Sequence, residues 1–127
     1  MNAEELKKAQ KAYLDETIAH FNLNNRATTG HRCVYSSTTT SEGCAIGRKI
    51  ADKSICALLD SDISVSAGSG VSNPKVFQKL PKELKDLGAA FLTSIQQLHD
   101  HECNWGSKGL SEVGGMEVAA IRMRYNL

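Results

Sequence analysis

A chain of 127 residues with 15 basic and 14 acidic side chains has a formal net charge of +1. It carries no global field, which argues against a nucleic-acid polymer or an anionic membrane surface as partner. Its 41% hydrophobic and 23% charged residues suit a single globular domain over 1–127, and no run of about 18 apolar residues is available to span a bilayer.

The opening MNAEELKKAQ is charged and has no apolar core, so it does not read as a secretory signal. Residues 2–21 read as an amphipathic helix, with Asn2 as cap and Glu5 placed for a capping box. Leu6, Gln10, Tyr13, Leu14, Thr17, Ile18 and Phe21 recur at helical spacing and predict its buried stripe. Residues 22–31 are polar, contain Gly30 and predict a loop. Cys33-Val34-Tyr35 has strand character, and Ser36 to Gly43 carries turn chemistry. The segment Cys44 to Ile50 fits two structures: the return strand of a hairpin, or a helix with Ile46 and Ile50 one turn apart on one face.

Ser54 to Asp60 predicts a helix, and residues 61–74 a loop with a short strand at Ile63–Val65. Pro81 suits a first helical position and opens a short helix through Leu84 and Leu87. Residues 89–103 predict the main helix, with Phe91, Leu92, Ile95, Leu98, His99 and Glu102 on one side. Asn104 to Gly109 breaks it around Trp105. Ser111 then caps a last helix whose Val113, Met116, Ala120 and Ile121 are expected to face inward, with Gly114 and Gly115 weakening it. The expected fold is therefore α-dominated α+β. It has four to six helices, a core built on 2–21 and 89–103, and one short β-hairpin or strand pair near 33–46.

Three segments carry a resemblance: Arg32-Cys33-Val34-Tyr35, Gly43-Cys44-Ala45-Ile46-Gly47-Arg48, and Phe91-Leu92 with Gln97-Leu98-His99-Asp100. Together they resemble a set of small uncharacterised proteins of phages, prophages and some bacterial genomes, over roughly residues 14–105. Ile95 stands where that pattern has leucine, and Arg48 where cysteine or arginine is common. The resemblance implies a phage-type accessory protein that acts on a host process by binding.

Four constellations could carry chemistry. Cys44 with His99 is the pair a cysteine hydrolase needs, the thiol at a helix start and the imidazole as base. Asp100 is expected to be a poor orienting acid for His99, because adjacent helical residues point apart. The bland reading of Cys44 is a small buried hydrophobe. Cys33, Cys44, His99 and Cys103 form a candidate zinc set, with His99 and Cys103 one helical turn apart. Their spacing matches no compact zinc or disulfide pattern, so free thiols in a cytoplasm are the plainer expectation.

Arg26, Arg32, Arg48, Lys49 and Lys53, against Glu42 and Asp52, concentrate positive charge in a near-neutral chain. Arginine forks match phosphate geometry. Backbone N–H groups near Gly43 and Gly47 would add donors, and Tyr35 and Trp105 would offer faces to a base. The bland reading is a solvated basic face. The stretch His99 to Trp105 is dense in polar groups, and a helix C-terminus uses such groups structurally. No Walker, Rossmann or zincin motif is present.

The favoured reading is a non-enzymatic phage-type protein that interferes with a host process, such as antiviral defence. It would bind a nucleotide-like anion or a host protein, through Arg26, Arg32, Tyr35, Arg48, His99 and Trp105 in the anion case. No cofactor is called for, the expected location is cytoplasmic, and a homo-oligomer is compatible with the sequence. The rival classes are the Cys44/His99 hydrolase and a zinc-stabilised scaffold or structural subunit.

Overall fold

The computed structural model describes residues 1–26, 28–29, 32–36, 43–61 and 70–127, with only the backbone described at 28, 29, 32 and 33. Helix α1 runs Ala3–His20. The Asn2 Oδ1 accepts from the Glu5 N–H at 2.8 Å, while the Asn2 side-chain amide donates to the Glu5 carboxylate at 3.0 Å. This reciprocal cap satisfies one of the helix's orphan donors. Gln10, Tyr13, Leu14 and Thr17 form the buried face, and the chain turns away at Phe21, itself buried.

Strands β1 (Thr28–Thr29) and β2 (Arg32–Cys33) pair antiparallel. The expected strand pair thus begins before residue 33, inside the segment read as loop. Beyond it, Val34 and Cys44 share one backbone hydrogen bond of 2.8 Å. Of the two structures open for 44–50, neither forms in full. Cys44 to Ile46 make a turn, and Gly47–Lys49 a single 3-10 turn. Helix α2 (Lys53–Ser61) buries Cys56 and Leu59. The expected strand at Ile63–Val65 lies outside the described residues.

Helix α3 (Pro74–Phe77) has no counterpart among the expected elements, although its signals are ordinary: Asn73 caps it and Pro74 occupies its first turn. Pro81 is the cap, rather than the first residue, of α4 (Lys82–Lys85). Helix α5 (Ala89–Asp100) buries Phe91, Leu92, Ile95, Leu98 and His99, as its periodicity predicts. It stops three residues early, and Glu102–Asn104 form a 3-10 turn with Glu102 exposed. A second hairpin, β3 (Trp105–Gly106) with β4 (Gly109–Leu110), leads to α6 (Glu112–Tyr125). Among the described residues there are six α-helices and two two-stranded pairs, an α-dominated α+β fold.

Helix α5 is central, touching both α1 and α6. Phe91 meets Tyr13 of α1 edge-on at 6.3 Å and Tyr125 of α6 at 5.4 Å between ring centroids. Such pairs add about 0.5–1.5 kcal/mol beyond simple burial. The inward face of α6 differs from the expected one. Ile121 is buried, but Val113, Met116 and Ala120 are exposed, and Gly114 and Val118 take their place. The cause is close approach: a Cβ on Gly114 would lie 2.0 Å from the Asn104 carbonyl oxygen. The glycine that weakens the helix locally is what lets it dock.

Candidate functional site

Two of the resemblance segments meet in space around Tyr35, and Gln96 of α5 reaches it from a third side. A Cβ at Gly47 would lie 2.0 Å from the Tyr35 carbonyl oxygen, and one at Gly43, where φ is +119°, 2.4 Å from the same atom. Only glycine permits this clasp, by its size at Gly47 and by size and conformation at Gly43. The Tyr35 hydroxyl accepts from the Gln96 amide at 2.9 Å, and Gln96 in turn accepts from the Val71 N–H at 2.8 Å. Asp60 receives the backbone N–H groups of both Tyr35 (2.8 Å) and Ser36 (2.9 Å). A carboxylate in the last turn of α2 opposes the helix dipole. These two donors compensate, and that local oddity was the available signal for its role.

Gly47 is also where the thiols converge. Its N–H donates to the Cys44 sulfur at 3.4 Å, and its carbonyl accepts from the Cys56 thiol at 3.5 Å and from Lys53 Nζ at 3.4 Å. Burial pushes the Cys56 thiol up, with Lys53 opposing. Cys44 is fully buried and precedes a 3-10 turn of three residues. The expected helix N-terminus beneath it is therefore missing. A thiol so enclosed meets no substrate without opening of the fold.

The basic residues hold the protein's own acceptors. Arg26 Nη1 donates to the carbonyls of His99 and Asp100, each at 2.9 Å, and so caps the C-terminus of α5. Arg48 donates to one Glu16 oxygen through two nitrogens at 3.3 Å and stands 5.9 Å over the Phe21 ring. Lys49 takes the other Glu16 oxygen. The Lys49 hydrogen bond is the main reason the Glu16 carboxyl is held below the usual carboxylate range. The Arg32 side chain lies outside the described residues. Tyr35 and Trp105 are buried, so neither offers a face to a base, contrary to expectation. The Trp105 indole instead donates to the Leu98 carbonyl at 2.9 Å.

His99 corrects another expectation. Its Nδ1 lies 2.7 Å from the Asp100 carboxylate. The Cβ directions do diverge, but Nδ1 is the ring nitrogen nearest the backbone. Asp100 ends the helix, and its short side chain folds back to reach it. The imidazole is fully buried, edge-on to Phe21 at 4.7 Å between centroids. Cys103 does not share a helical face with it, because α5 has already ended. That thiol is exposed. Among the described residues no group of three or more His, Cys, Asp or Glu is placed to hold a metal ion; the Cys33 side chain is not among them. The remaining polar atoms of 99–105 stitch the end of α5 to the second hairpin and the start of α6. Asn104 donates to the Leu98 carbonyl at 3.1 Å, and Ser111 donates to the Cys103 carbonyl at 2.6 Å.

A groove that sequence reasoning did not single out lies against α1, beside the Glu16–Lys49 pair. It encloses about 750 Å³ between α1, the segment after Lys49 and α4. Ala9, Ala12, Ile55, Leu84 and Leu87 form its apolar wall, and Glu16, Lys49, Asp52, Glu83 and Asp86 its rim. No periodicity marks it in advance, because its wall is assembled from residues far apart in the chain. No helix among the described residues is long and apolar enough to cross a membrane. No protein-family model, curated protein or solved structure matches the chain.

Proposed function

We propose that this protein acts by binding rather than by chemistry, as a phage-type accessory protein that engages a host protein in the cytoplasm. The phage-type part rests on the Cys-x-Tyr, Gly-Cys-Ala-Ile-Gly and Phe-Leu…His-Asp segments. The cytoplasmic part rests on the free thiols at Cys44, Cys56 and Cys103. The observation that carries the binding part is the groove of about 750 Å³ against α1. An apolar concavity of this size with charged groups on its edge suits a protruding side-chain cluster of a partner. Four carboxylates against one lysine on the rim favour a partner segment that is apolar and basic.

Ala12 is exposed on the groove wall and outside the core. Ala12→Trp fills the groove without disturbing the fold, so unfolding temperature is expected to stay within about 2 °C of the parent. The test is quantitative co-purification from host cells with cross-links mapped by mass spectrometry. Cross-links at the groove and at least tenfold loss of the partner in Ala12→Trp are expected. A partner retained equally by both proteins removes the groove as the site.

The nucleotide-like anion keeps one specific support. Arg48 and Lys49 share the single carboxylate of Glu16, so two positive charges meet one negative charge within that ion-pair cluster. An anion would compete with Glu16 for these two groups. A thermal shift with nucleotides that grows in Glu16→Gln and vanishes in Arg48→Ala would favour this reading over the peptide one.

A further inference from the structure

Two different groups hold Lys49 at the groove. Its ammonium pairs with one oxygen of the Glu16 carboxylate and stands 5.8 Å over the centre of the Tyr13 ring. All three side chains line the groove. Tyr13 and Glu16 are three residues apart on α1, so ring and carboxylate share one helix face. Each is also held by a group other than Lys49. The Tyr13 hydroxyl donates to the Ala45 carbonyl at 2.6 Å, and its ring meets Phe91 edge-on. Arg48 occupies the other Glu16 oxygen through two nitrogens at 3.3 Å. A carboxylate beside an aromatic face is a receptor for an ammonium group. The oxygen accepts an N–H, and the negative face of the ring attracts the charge.

The two cations on Glu16 are unlike. The Arg48 side chain is 13% exposed and its guanidinium lies over Phe21, so it is fixed. Lys49 is 29% and Glu16 46% exposed. An ion pair open to water contributes little, so exchanging one ammonium for another at Glu16 costs little. A partner that covers the groove excludes water, and the same two contacts then strengthen. We propose that Glu16 and Tyr13 form a subsite for a primary ammonium group, filled by Lys49 in the free protein and taken over by a lysine side chain of the partner. The subsite rests on the groove being the binding surface. It fixes where one basic residue of the partner docks, and it makes Lys49 an internal competitor for that place.

The probe is n-butylammonium, which carries the four methylenes and the ammonium of a lysine side chain. It is titrated into Lys49→Ala and into the parent at constant ionic strength, with sodium chloride as control, and followed by NMR. In Lys49→Ala, saturable shifts at Tyr13 and Glu16 are expected in the millimolar range, with nuclear Overhauser contacts from the butyl chain to the Tyr13 ring. Lys49→Ser serves as a second variant with the same expectation. The parent is expected to bind roughly tenfold more weakly, because its own lysine must leave first. Adding Glu16→Gln to Lys49→Ala removes the binding. Neutral n-pentanol, of similar length, is expected to bind roughly tenfold more weakly than the ammonium. No saturable shift in either Lys49 variant, equal affinity in the parent, equal affinity for n-pentanol, or binding that survives Glu16→Gln would each overturn the subsite. Such a failure leaves the groove itself to Ala12→Trp. A partner indifferent to Ala12→Trp would remove the groove while leaving the probe bound.

Discussion

A methyl group added to Gly114 would sit 2.0 Å from the Asn104 carbonyl oxygen, 2.8 Å from its carbon and 2.9 Å from a Leu110 methyl. At Gly115, one residue on, the same methyl would touch nothing within 4 Å. Both glycines are helical and carry the same entropic cost of holding a flexible residue in place. The two alanine variants should therefore move in opposite directions. Gly114→Ala is expected to destabilise by about 2–4 kcal/mol, because a backbone carbonyl cannot yield as a side chain can. Gly115→Ala is expected to stabilise by about 0.5–1 kcal/mol. Urea unfolding at low micromolar concentration, with unchanged m-values, checks both. Stabilisation in both variants would show that α6 does not approach Asn104 as described. Gly47 follows the logic of Gly114, since the Tyr35 backbone stands where its Cβ would be. At both positions a weak helix former is required by what lies beside it, and no local pattern announces which glycine is which.

Among the elements, α1 is tied at its middle to two distant parts of the chain. Asp15 accepts from Arg122 of α6 at 2.6 Å and from Lys11 at 3.1 Å, while Glu16 holds Arg48 and Lys49. Hydrogen bonds from Arg122 and then Lys11 hold the Asp15 carboxyl below the usual carboxylate range, as Lys49 does for Glu16. Folded-state values that lie below the unfolded ones give stability that is fully present above the ordinary carboxylate range. It is lost as pH falls through that range to the lowered values. Both side chains are more than two-fifths exposed, so water screens the pairs and the effect is modest. The unfolding-temperature gap between the parent and Asp15→Asn with Glu16→Gln should be widest near neutral pH. It should close by about pH 2 and narrow in high salt. A gap that is constant with pH would show that the pairs contribute nothing in solution. Two members of the basic cluster visible in the sequence, Arg48 and Lys49, thus already hold a carboxylate. That counter-charge comes from α1, about thirty residues away along the chain.

At the scale of the whole molecule, the buried thiols belong to one hydrophobic cluster that runs from α1 through Tyr35 and α5 to α6. Cys103 stands outside it. A maleimide applied to the native protein should label Cys103 within minutes. It should reach Cys44 and Cys56 only on the timescale of unfolding, because their Sγ atoms lie in the fold and face Gly47. Peptide mapping before and after denaturation reads this directly. Fast native labelling of Cys44 would reopen the hydrolase reading, since it would require the thiol to reach solvent. The same core leaves the groove against α1 open and Val113, Met116 and Met123 of α6 exposed.

The sequence by itself determined the secondary elements whose signals are local. These are the capped and striped α1, the apolar run of α5, and the Ser111 cap of α6, whose hydroxyl accepts from the Gly114 N–H at 3.0 Å. They suffice for the α-dominated α+β class, because periodicity and caps act within a few residues. Only the tertiary structure decided which face of α6 looks inward, since two apolar faces compete and a carbonyl from another element selects between them. It also decided that Arg26 caps α5, that Asp100 reaches His99, and that Tyr35 and Trp105 are covered. Each of these outcomes depends on partners distant in the chain or on where a helix ends, to within one residue. Hydrophobic spacing carries neither.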